Sequence, residues 1–237
     1  MGRGWFAAAA LLAAVFSGEA EAQTQAETCR TGEGKAAIAA CTAVMRSGHA
    51  TKEELYRAYY DRGVLYRDRK QHTLAVRDFT QAMRLDPKNS DAVLNRGVSY
   101  GALGQYRRSI RDYTAAIELD PSKADGWNAR CYDRAIIGQF KAALADCNEA
   151  LRLQPDYPEG RDSRGFLYLK LGRYDAAIVE YDAALKLDPK KAVSLYGRGL
   201  AKHATGDRAG GDADIAAAKA RDASLPRLFR QMGVRLS

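Results

Sequence analysis

Residues 95–121 read NRGVSYGALGQYRRSIRDYTAAIELDP, the clearest copy of a pattern that recurs along the chain. It holds two runs in which apolar residues recur every three or four positions, separated by Leu103-Gly104 and closed by Asp120-Pro121. This spacing predicts two amphipathic helices, because residues three and four apart lie on one helix face. Glycine breaks the first helix, and proline cannot continue the second. The stretch is therefore interpreted as a helical hairpin.

The same hairpin recurs along the chain every 34 residues. The period is seen in the prolines, in the turn glycines and in a column of alanines; the prolines are Pro87, Pro121, Pro155 and Pro189. One hairpin is too small to bury its own apolar face, so stacked neighbours must build a continuous core. The sequence therefore predicts an all-α fold, an α-solenoid of stacked antiparallel helix hairpins.

On these motifs the chain resembles the tetratricopeptide repeat (TPR) family. The resemblance covers about residues 56–223 and divides the chain into a series of segments. The segments are repeats at 56–89, 90–123, 124–157 and 158–191, a degenerate repeat at 192–223, a shortened N-terminal hairpin at 23–55 and a C-terminal capping helix at 224–237. In the capping helix, Leu228, Phe229 and Met232 are expected to cover the open face of the last repeat.

Residues 1–22 have the pattern of a secretory signal peptide. Arg3 precedes an apolar run of about twelve residues, shorter than the roughly twenty that span a bilayer, and Ala20-Glu21-Ala22 forms an A-x-A cleavage site. Cleavage would leave Gln23 as the first residue of a periplasmic or secreted protein with no stable membrane insertion. The alternative is an uncleaved anchor.

The resemblance also suggests how the four cysteines pair. Cys131 replaces a glycine of the first helix and Cys147 an aromatic residue of the second, and these two columns pack together in the family. Cys29 and Cys41 repeat the arrangement in the N-terminal hairpin. Disulfides Cys131–Cys147 and Cys29–Cys41 suit an exported protein. Free buried thiols are the alternative, and zinc ligation would need closely spaced pairs.

Five arginines also follow the period: Arg62, Arg96, Arg130, Arg164 and Arg198. Such a ladder could hold a polyanion. However, an acid follows each arginine after sixteen residues, at Asp78, Asp112, Asp146, Glu180 and Asp214. This offset places the acids on the facing helix, which favours an internal ion pair in every repeat.

In TPR proteins the inner face comes chiefly from the first helix of each repeat, and it takes an extended peptide or a partner helix. The residues that this implies here are Arg57, Tyr60, Val64, Arg67, Leu94, Asn95, Val98, Asn128, Tyr132, Ala135, Asp162, Phe166, Lys170, Tyr196 and Leu200. The expected function is a non-catalytic protein-interaction scaffold in a bacterial-type periplasm. No catalytic, metal or cofactor motif is recognised, and no nucleic-acid partner is expected.

The charge is unevenly distributed. The whole chain has 37 basic and 29 acidic residues, a net +8, and removal of residues 1–22 leaves 36 and 27. Residues 56–89 and 219–237 each contribute +4, so the middle of the chain is almost neutral. Two alternative functions therefore stay open: binding of an envelope polyanion or membrane surface through the basic ends, and service as an accessory subunit of an envelope enzyme.

Overall fold

The computed structural model describes residue 21 and residues 23–234, and every regular element in this part is a helix. The first five are α1 (residues 23–31), α2 (Gly34–Arg46), α3 (Lys52–Asp68), α4 (His72–Leu85) and α5 (Ser90–Ala102). The others are α6 (Tyr106–Leu119), α7 (Ala124–Ile136), α8 (Phe140–Leu153), α9 (Pro158–Lys170), α10 (Tyr174–Leu187), α11 (Ala192–Thr205), α12 (Arg208–Arg221) and α13 (Leu225–Gln231). The all-α prediction is confirmed. Apart from residue 21, the predicted signal peptide lies outside the described residues.

The chain forms two compact units, Met1–Gly104 and Gln105–Ser237, called unit 1 and unit 2 below. In unit 1, α3 and α4 form a hairpin that packs on α2 and on α5. In unit 2, the hairpins α7–α8, α9–α10 and α11–α12 follow one another, and each packs on the next. Within each unit the order of contacts is therefore the nearest-neighbour order that stacked hairpins require.

The two helices of a hairpin approach closely where a glycine meets a large ring. A Cβ atom at Gly63 would lie 2.8 Å from the ring of Phe79, and one at Gly165 would lie 3.0 Å from the ring of Tyr181. Both rings are fully buried. A side chain at either glycine would push the ring out of a close-packed core, which explains why glycine recurs in this column.

In the third repeat a disulfide fills the space that glycine and a ring fill elsewhere. Cys131 and Cys147 are bonded, with their Cα atoms 5.3 Å apart. Cys29 and Cys41 are bonded between α1 and α2, with their Cα atoms 4.6 Å apart. All four cysteines are buried, and the structure pairs them as predicted.

The turns between paired helices depend on a residue in the left-handed region. Gly104, Gly138, Gly172 and Gly206 have φ of 72°, 81°, 68° and 93°. Glycine adopts such angles without the steric cost that a Cβ atom brings. The first repeat has Lys70 at the equivalent position, with φ of 60°. The predicted turn positions are thus confirmed, and the first repeat tolerates a side chain there.

Both ends of the repeat array differ in detail from the predicted segments. Helix α3 begins at Lys52, because Thr51 and Glu54 form a capping box in which the Glu54 carboxylate accepts from the Thr51 amide at 2.7 Å. The C-terminal helix α13 has 7 residues. Among the described residues, none of the helices has the length and apolar character needed to cross a membrane.

Candidate functional site

The arginine ladder forms ion pairs inside the hairpins. The pairs join Arg62 to Asp78 at 2.7 Å, Arg130 to Asp146 at 2.9 Å, Arg164 to Glu180 at 2.6 Å and Arg198 to Asp214 at 2.6 Å. All four acids are buried. In each pair the arginine lies on the first helix and the acid on the second. The predicted structural pairing is therefore confirmed in these four repeats. In the remaining predicted pair, Arg96 belongs to unit 1 and Asp112 to unit 2.

The same arginines also reach the second helix of the preceding repeat. Arg130 donates to the Thr114 hydroxyl at 3.0 Å, Arg164 to Asn148 at 2.9 Å and Arg198 to Asp182 at 2.7 Å. Each guanidinium thus joins two successive repeats, which its planar set of donors allows. Because their donors are used inside the stack, these arginines do not form a polyanion-binding surface.

The pKa of Asp214 shows how strong this pairing is. Burial alone would raise it, but hydrogen bonds from Arg198 and Lys202 outweigh burial and hold the pKa below its ordinary value. The partner group responds in the opposite sense, since the hydrogen bond with Asp214 raises the pKa of Arg198. Both groups are charged at neutral pH.

In unit 1, six of the predicted groove residues form a half-exposed surface on α3 and α5, here called the unit 1 face. They are Tyr60, Val64, Arg67, Leu94, Asn95 and Val98. Arg67 donates to the Asn95 amide oxygen, and the Asn95 amide nitrogen donates to the Tyr60 hydroxyl at 3.1 Å. Val98 is 37% exposed beside this polar chain. The face therefore offers aliphatic surface next to hydrogen-bonding groups.

The seventh predicted residue of unit 1 lies elsewhere. Arg57 lines a cleft of about 320 Å³ between α1 and α3, together with Arg30 and Asp61. Its side chain is 58% exposed and pairs with Glu53 at 2.6 Å. Burial raises the pKa of Asp61 to about 6, although Arg57 and Arg30 act in the opposite direction. Arg57 is thus part of a separate, charged cleft.

In unit 2, the first helices hold the C-terminal segment of the chain. The ring of Phe229 lies 6.0 Å from that of Phe166 and 4.9 Å from that of Tyr196, both in edge-to-face geometry. The Tyr132 hydroxyl donates to the Met232 sulfur at 2.8 Å. The surface that these first helices present, formed by Tyr132, Phe166, Lys170, Tyr196 and Leu200, is called the unit 2 groove below.

Most of the predicted residues of unit 2 are consequently buried. Ala135, Phe166, Tyr196 and Leu200 belong to one apolar cluster with Leu225, Phe229, Met232 and Val234. Lys170 donates to the carbonyl oxygen of Met232 at 2.7 Å, and burial lowers its pKa. The expected capping helix therefore covers more than the last repeat, because it contacts the third, fourth and fifth repeats. Its Leu228 is 37% exposed rather than covering the stack.

Asp162 has a structural role between the fourth and fifth repeats. The Ser194 hydroxyl donates to its carboxylate at 2.7 Å, and both side chains are buried. Burial raises the pKa of Asp162 to about 6, and the hydrogen bond from Ser194 offsets part of that rise. Burial thus disfavours the ionised form of the Asp162 carboxyl group.

Asn128 borders a small cavity of about 250 Å³ with a charged lining. Its charged residues are Asp162, which the sequence predicted, and Asp133, Glu159 and Lys191, which it did not; Lys191 pairs with Glu159 at 2.9 Å. Asp133 accepts from the Ser109 hydroxyl, and burial raises its pKa to about 6. A signal was present in the sequence, because the other repeats have leucine, serine or alanine in the Asp133 column.

The described residues contain no group of three or more His, Cys, Asp or Glu side chains placed to hold a metal ion. The stacked hairpins instead present first-helix surfaces of mixed apolar and polar character. These features define the class: an α-solenoid whose surfaces suit a protein or peptide partner.

Comparison with family models assigns the repeats. Models described as TPR repeat or tetratricopeptide repeat match residues 56–89, 94–158 and 165–206, together more than half of the chain. The chain belongs to the tetratricopeptide repeat family. Proteins of this family are generally non-catalytic interaction modules that bind protein or peptide partners. None of the curated protein sequences matches the chain.

Solved structures support the same fold. A tetratricopeptide repeat protein from Parabacteroides merdae superimposes with a TM-score of 0.70 at 20% identity, over 84% of this chain and 77% of that one. MamA gives 0.56 at 22% identity, over 74% and 96%. YrrB, described as a TPR protein with an unusual peptide-binding site, gives 0.55 at 19% identity, over 81% and 99%. At these identities the likeness shows the solenoid fold alone.

Proposed function

We propose that the chain is a protein-interaction scaffold of a bacterial-type periplasm that binds a peptide or partner helix on its first-helix surfaces. The observation that carries the proposal is the seating of α13 in the unit 2 groove. Helix-in-groove binding uses an apolar helix face set into an apolar groove. Because the chain's own helix binds a first-helix surface in this way, the proposal extends the same mode of binding to the unit 1 face.

The unit 1 face has the chemistry for such a partner. Val64, Leu94 and Val98 supply aliphatic surface, and each remains at least partly exposed. The chain of hydrogen bonds through Arg67, Asn95 and Tyr60 fixes the polar groups beside that surface. Pre-positioned polar groups lower the entropic cost of binding. The expected partner is therefore a helix or peptide with aliphatic side chains and an acceptor that reaches Arg67.

Two observations support the proposed compartment. The chain has two buried disulfides, and such bonds persist in oxidising environments. The sequence of residues 1–22 has the pattern of a secretory leader. In the proposal, the scaffold acts in the periplasm after this leader has been removed.

Ion pairing weakens the alternative of a polyanion binder. Three of the eight bases within residues 56–89, one of the two basic regions, are paired: Arg57 with Glu53, Arg62 with Asp78 and Arg67 with Asp68. Each of these three bases has a carboxylate partner, and the net +4 of residues 56–89 already includes Asp68 and Asp78. The charge that remains favours a protein partner over a phosphate backbone, which needs many unpaired bases.

The proposal is tested by capture of a partner from native envelope extract with the mature chain. Val98→Asp places a charge on the unit 1 face, whereas Val179→Asp makes the same change at a valine on α10 that is 64% exposed. We expect Val98→Asp to reduce capture at least tenfold and Val179→Asp to leave it unchanged. Circular dichroism is used to check that both variants are folded. Undiminished capture by folded Val98→Asp would reject the unit 1 face.

A further inference from the structure

The C-terminal segment, residues 225–234, binds the unit 2 groove as a ligand would. Leu225, Phe229 and Met232 stand at positions i, i+4 and i+7, the spacing of one helix face. They are 0%, 1% and 4% exposed, whereas Leu228 on the other side is 37% exposed. The segment therefore presents an apolar stripe, with one aromatic residue between a leucine and a methionine, to the groove.

The segment is joined to the rest of unit 2 through an exposed linker. Asp222, Ala223 and Ser224, which connect α12 to α13, are all exposed. Helix α13 has 7 residues, too few for stable helix formation on its own. The segment stays in place through burial of four apolar side chains and through the hydrogen bonds that Lys170 and Tyr132 donate to Met232. The entropy of ordering about ten residues offsets part of this stabilisation. Such elements open locally at a lower free energy than the core.

The side chains that line the groove beneath the segment also contact one another. Tyr132 and Phe166 lie 5.1 Å apart in a tilted ring pair that belongs to α7 and α9. Next to the end of the segment, a cavity of about 650 Å³ continues along Lys170, His203 and Arg208 to Gly233 and Val234. The groove therefore continues into a partly polar cavity beside Gly233 and Val234.

We propose that the unit 2 groove is a second binding surface, specific for a short amphipathic helix of a partner protein with an aromatic residue at its centre, and that residues 225–234 occupy it until that helix displaces them. The partner's aromatic side chain takes the place of Phe229 between Phe166 and Tyr196. Its backbone carbonyl accepts from Lys170 in place of that of Met232. The proposal rests on the proposed function in one respect, because the helix that displaces residues 225–234 belongs to a partner protein.

The test uses the full mature chain and a fluorescent synthetic peptide of residues 223–237 as the probe. In one variant, Phe229→Ala with Met232→Ala weakens the resident segment. A matched variant carries Arg227→Ala with Gln231→Ala on the exposed side of α13. We expect the peptide to bind the first variant at least tenfold more tightly than wild type, and the matched variant as wild type. A peptide that carries Phe229→Ala should not bind.

Three results would overturn the proposal. One is absence of peptide binding by the folded Phe229→Ala, Met232→Ala variant. Another is a hydrogen-exchange result for wild type: the amides of residues 229–234 are as strongly protected as those of α9 and α11. The segment would then open only when the whole protein unfolds. The third is a wild-type dimer that the peptide dissociates, which would make a second copy the occupant. We expect at least tenfold lower protection for residues 229–234 and a monomer. Because no extract is used, failure here leaves the unit 1 face untouched.

Discussion

Tyr181 combines close packing with a hydroxyl group that makes no hydrogen bond to the described residues. Its ring is fully buried between the glycine columns, and a Cβ atom at Gly197 would lie 2.3 Å from it. Its hydroxyl has no hydrogen-bond partner among the described residues. The first repeat places Phe79 in the same column. The ring is therefore required for packing, whereas the hydroxyl group has a desolvation cost that no hydrogen bond offsets.

Tyr181→Phe should accordingly stabilise the protein, by about 1 kcal/mol, because a buried unsatisfied polar group costs about that much or more. The free energy of unfolding in urea measures the effect. Tyr174→Phe, at a partly exposed ring on the same helix, serves as the control and should change little. A loss of stability in Tyr181→Phe would show that the hydroxyl group is satisfied.

Asp162 makes stability depend on pH. Its folded pKa of about 6 exceeds the ordinary value of 3.8, so the folded state binds more protons between these values. Unfolding free energy therefore falls as the pH rises from about 4 to 6. The neighbours that act on Asp162 are Ser194 and Lys191, which lower its pKa, and Glu159, which raises it.

Asp162→Asn should remove this contribution while its amide oxygen still accepts from Ser194. The variant should match wild type near pH 3.5 and exceed it at pH 7.5 by at most about 3 kcal/mol, since each pKa unit corresponds to about 1.4 kcal/mol. Urea unfolding at four pH values measures the difference in unfolding free energy between the two proteins. The contributions of the other acids are common to both proteins and cancel in this difference. Parallel curves for the two proteins would contradict the assignment.

Among the helical hairpins, the third has a disulfide where the first and fourth pack a ring against a glycine. Cys131 and Cys147 close a loop of 16 residues across α7 and α8. Cys131→Ala with Cys147→Ala should lower the free energy of unfolding by about 3 kcal/mol, as expected for a loop of this size. Urea unfolding measures the loss, and reductant should shift wild type towards the variant. A variant as stable as wild type would contradict the account.

The other repeats supply a matched control for this prediction. Cys131→Gly with Cys147→Tyr restores the pair that Gly165 and Tyr181 form in the fourth repeat. It should recover part of the stability that the alanine variant loses, because the ring fills the column between the helices. Recovery would show that the disulfide and the ring occupy equivalent space.

Elements whose contacts follow the repeat could be predicted from the sequence. The pair of Arg198 and Asp214 is an example, because both residues recur every 34 positions and the offset between them places them on facing helices. For the unit 2 groove, the sequence predicted that Phe229 and Met232 cover the last repeat, but not that they contact the third and fourth repeats. The hydrogen bond from Tyr132 to Met232 joins residues 100 positions apart, and Met232 belongs to a segment without periodic counterparts. The 34-residue period of the sequence therefore predicts the helices and the residue pairs that recur with it. The placement of α13 depends instead on tertiary packing.

At the scale of the whole molecule, the two units present first-helix surfaces in different states. The unit 1 face is half-exposed, and the unit 2 groove holds α13. The bases of the C-terminal region, such as Arg227 and Arg230, lie on the exposed side of α13. Part of the excess positive charge of the sequence therefore lies on the exposed side of α13. A scaffold of this kind offers one surface directly and a second after displacement.

The central claim is that a partner binds the unit 1 face, and site-specific photo-cross-linking tests it most directly. A photoreactive amino acid replaces Val98 in one protein and Val179 in another, and each is irradiated in the native envelope. The account predicts a discrete cross-linked partner from position 98 and none from position 179. No adduct from position 98, or the same adduct from both positions, would contradict it.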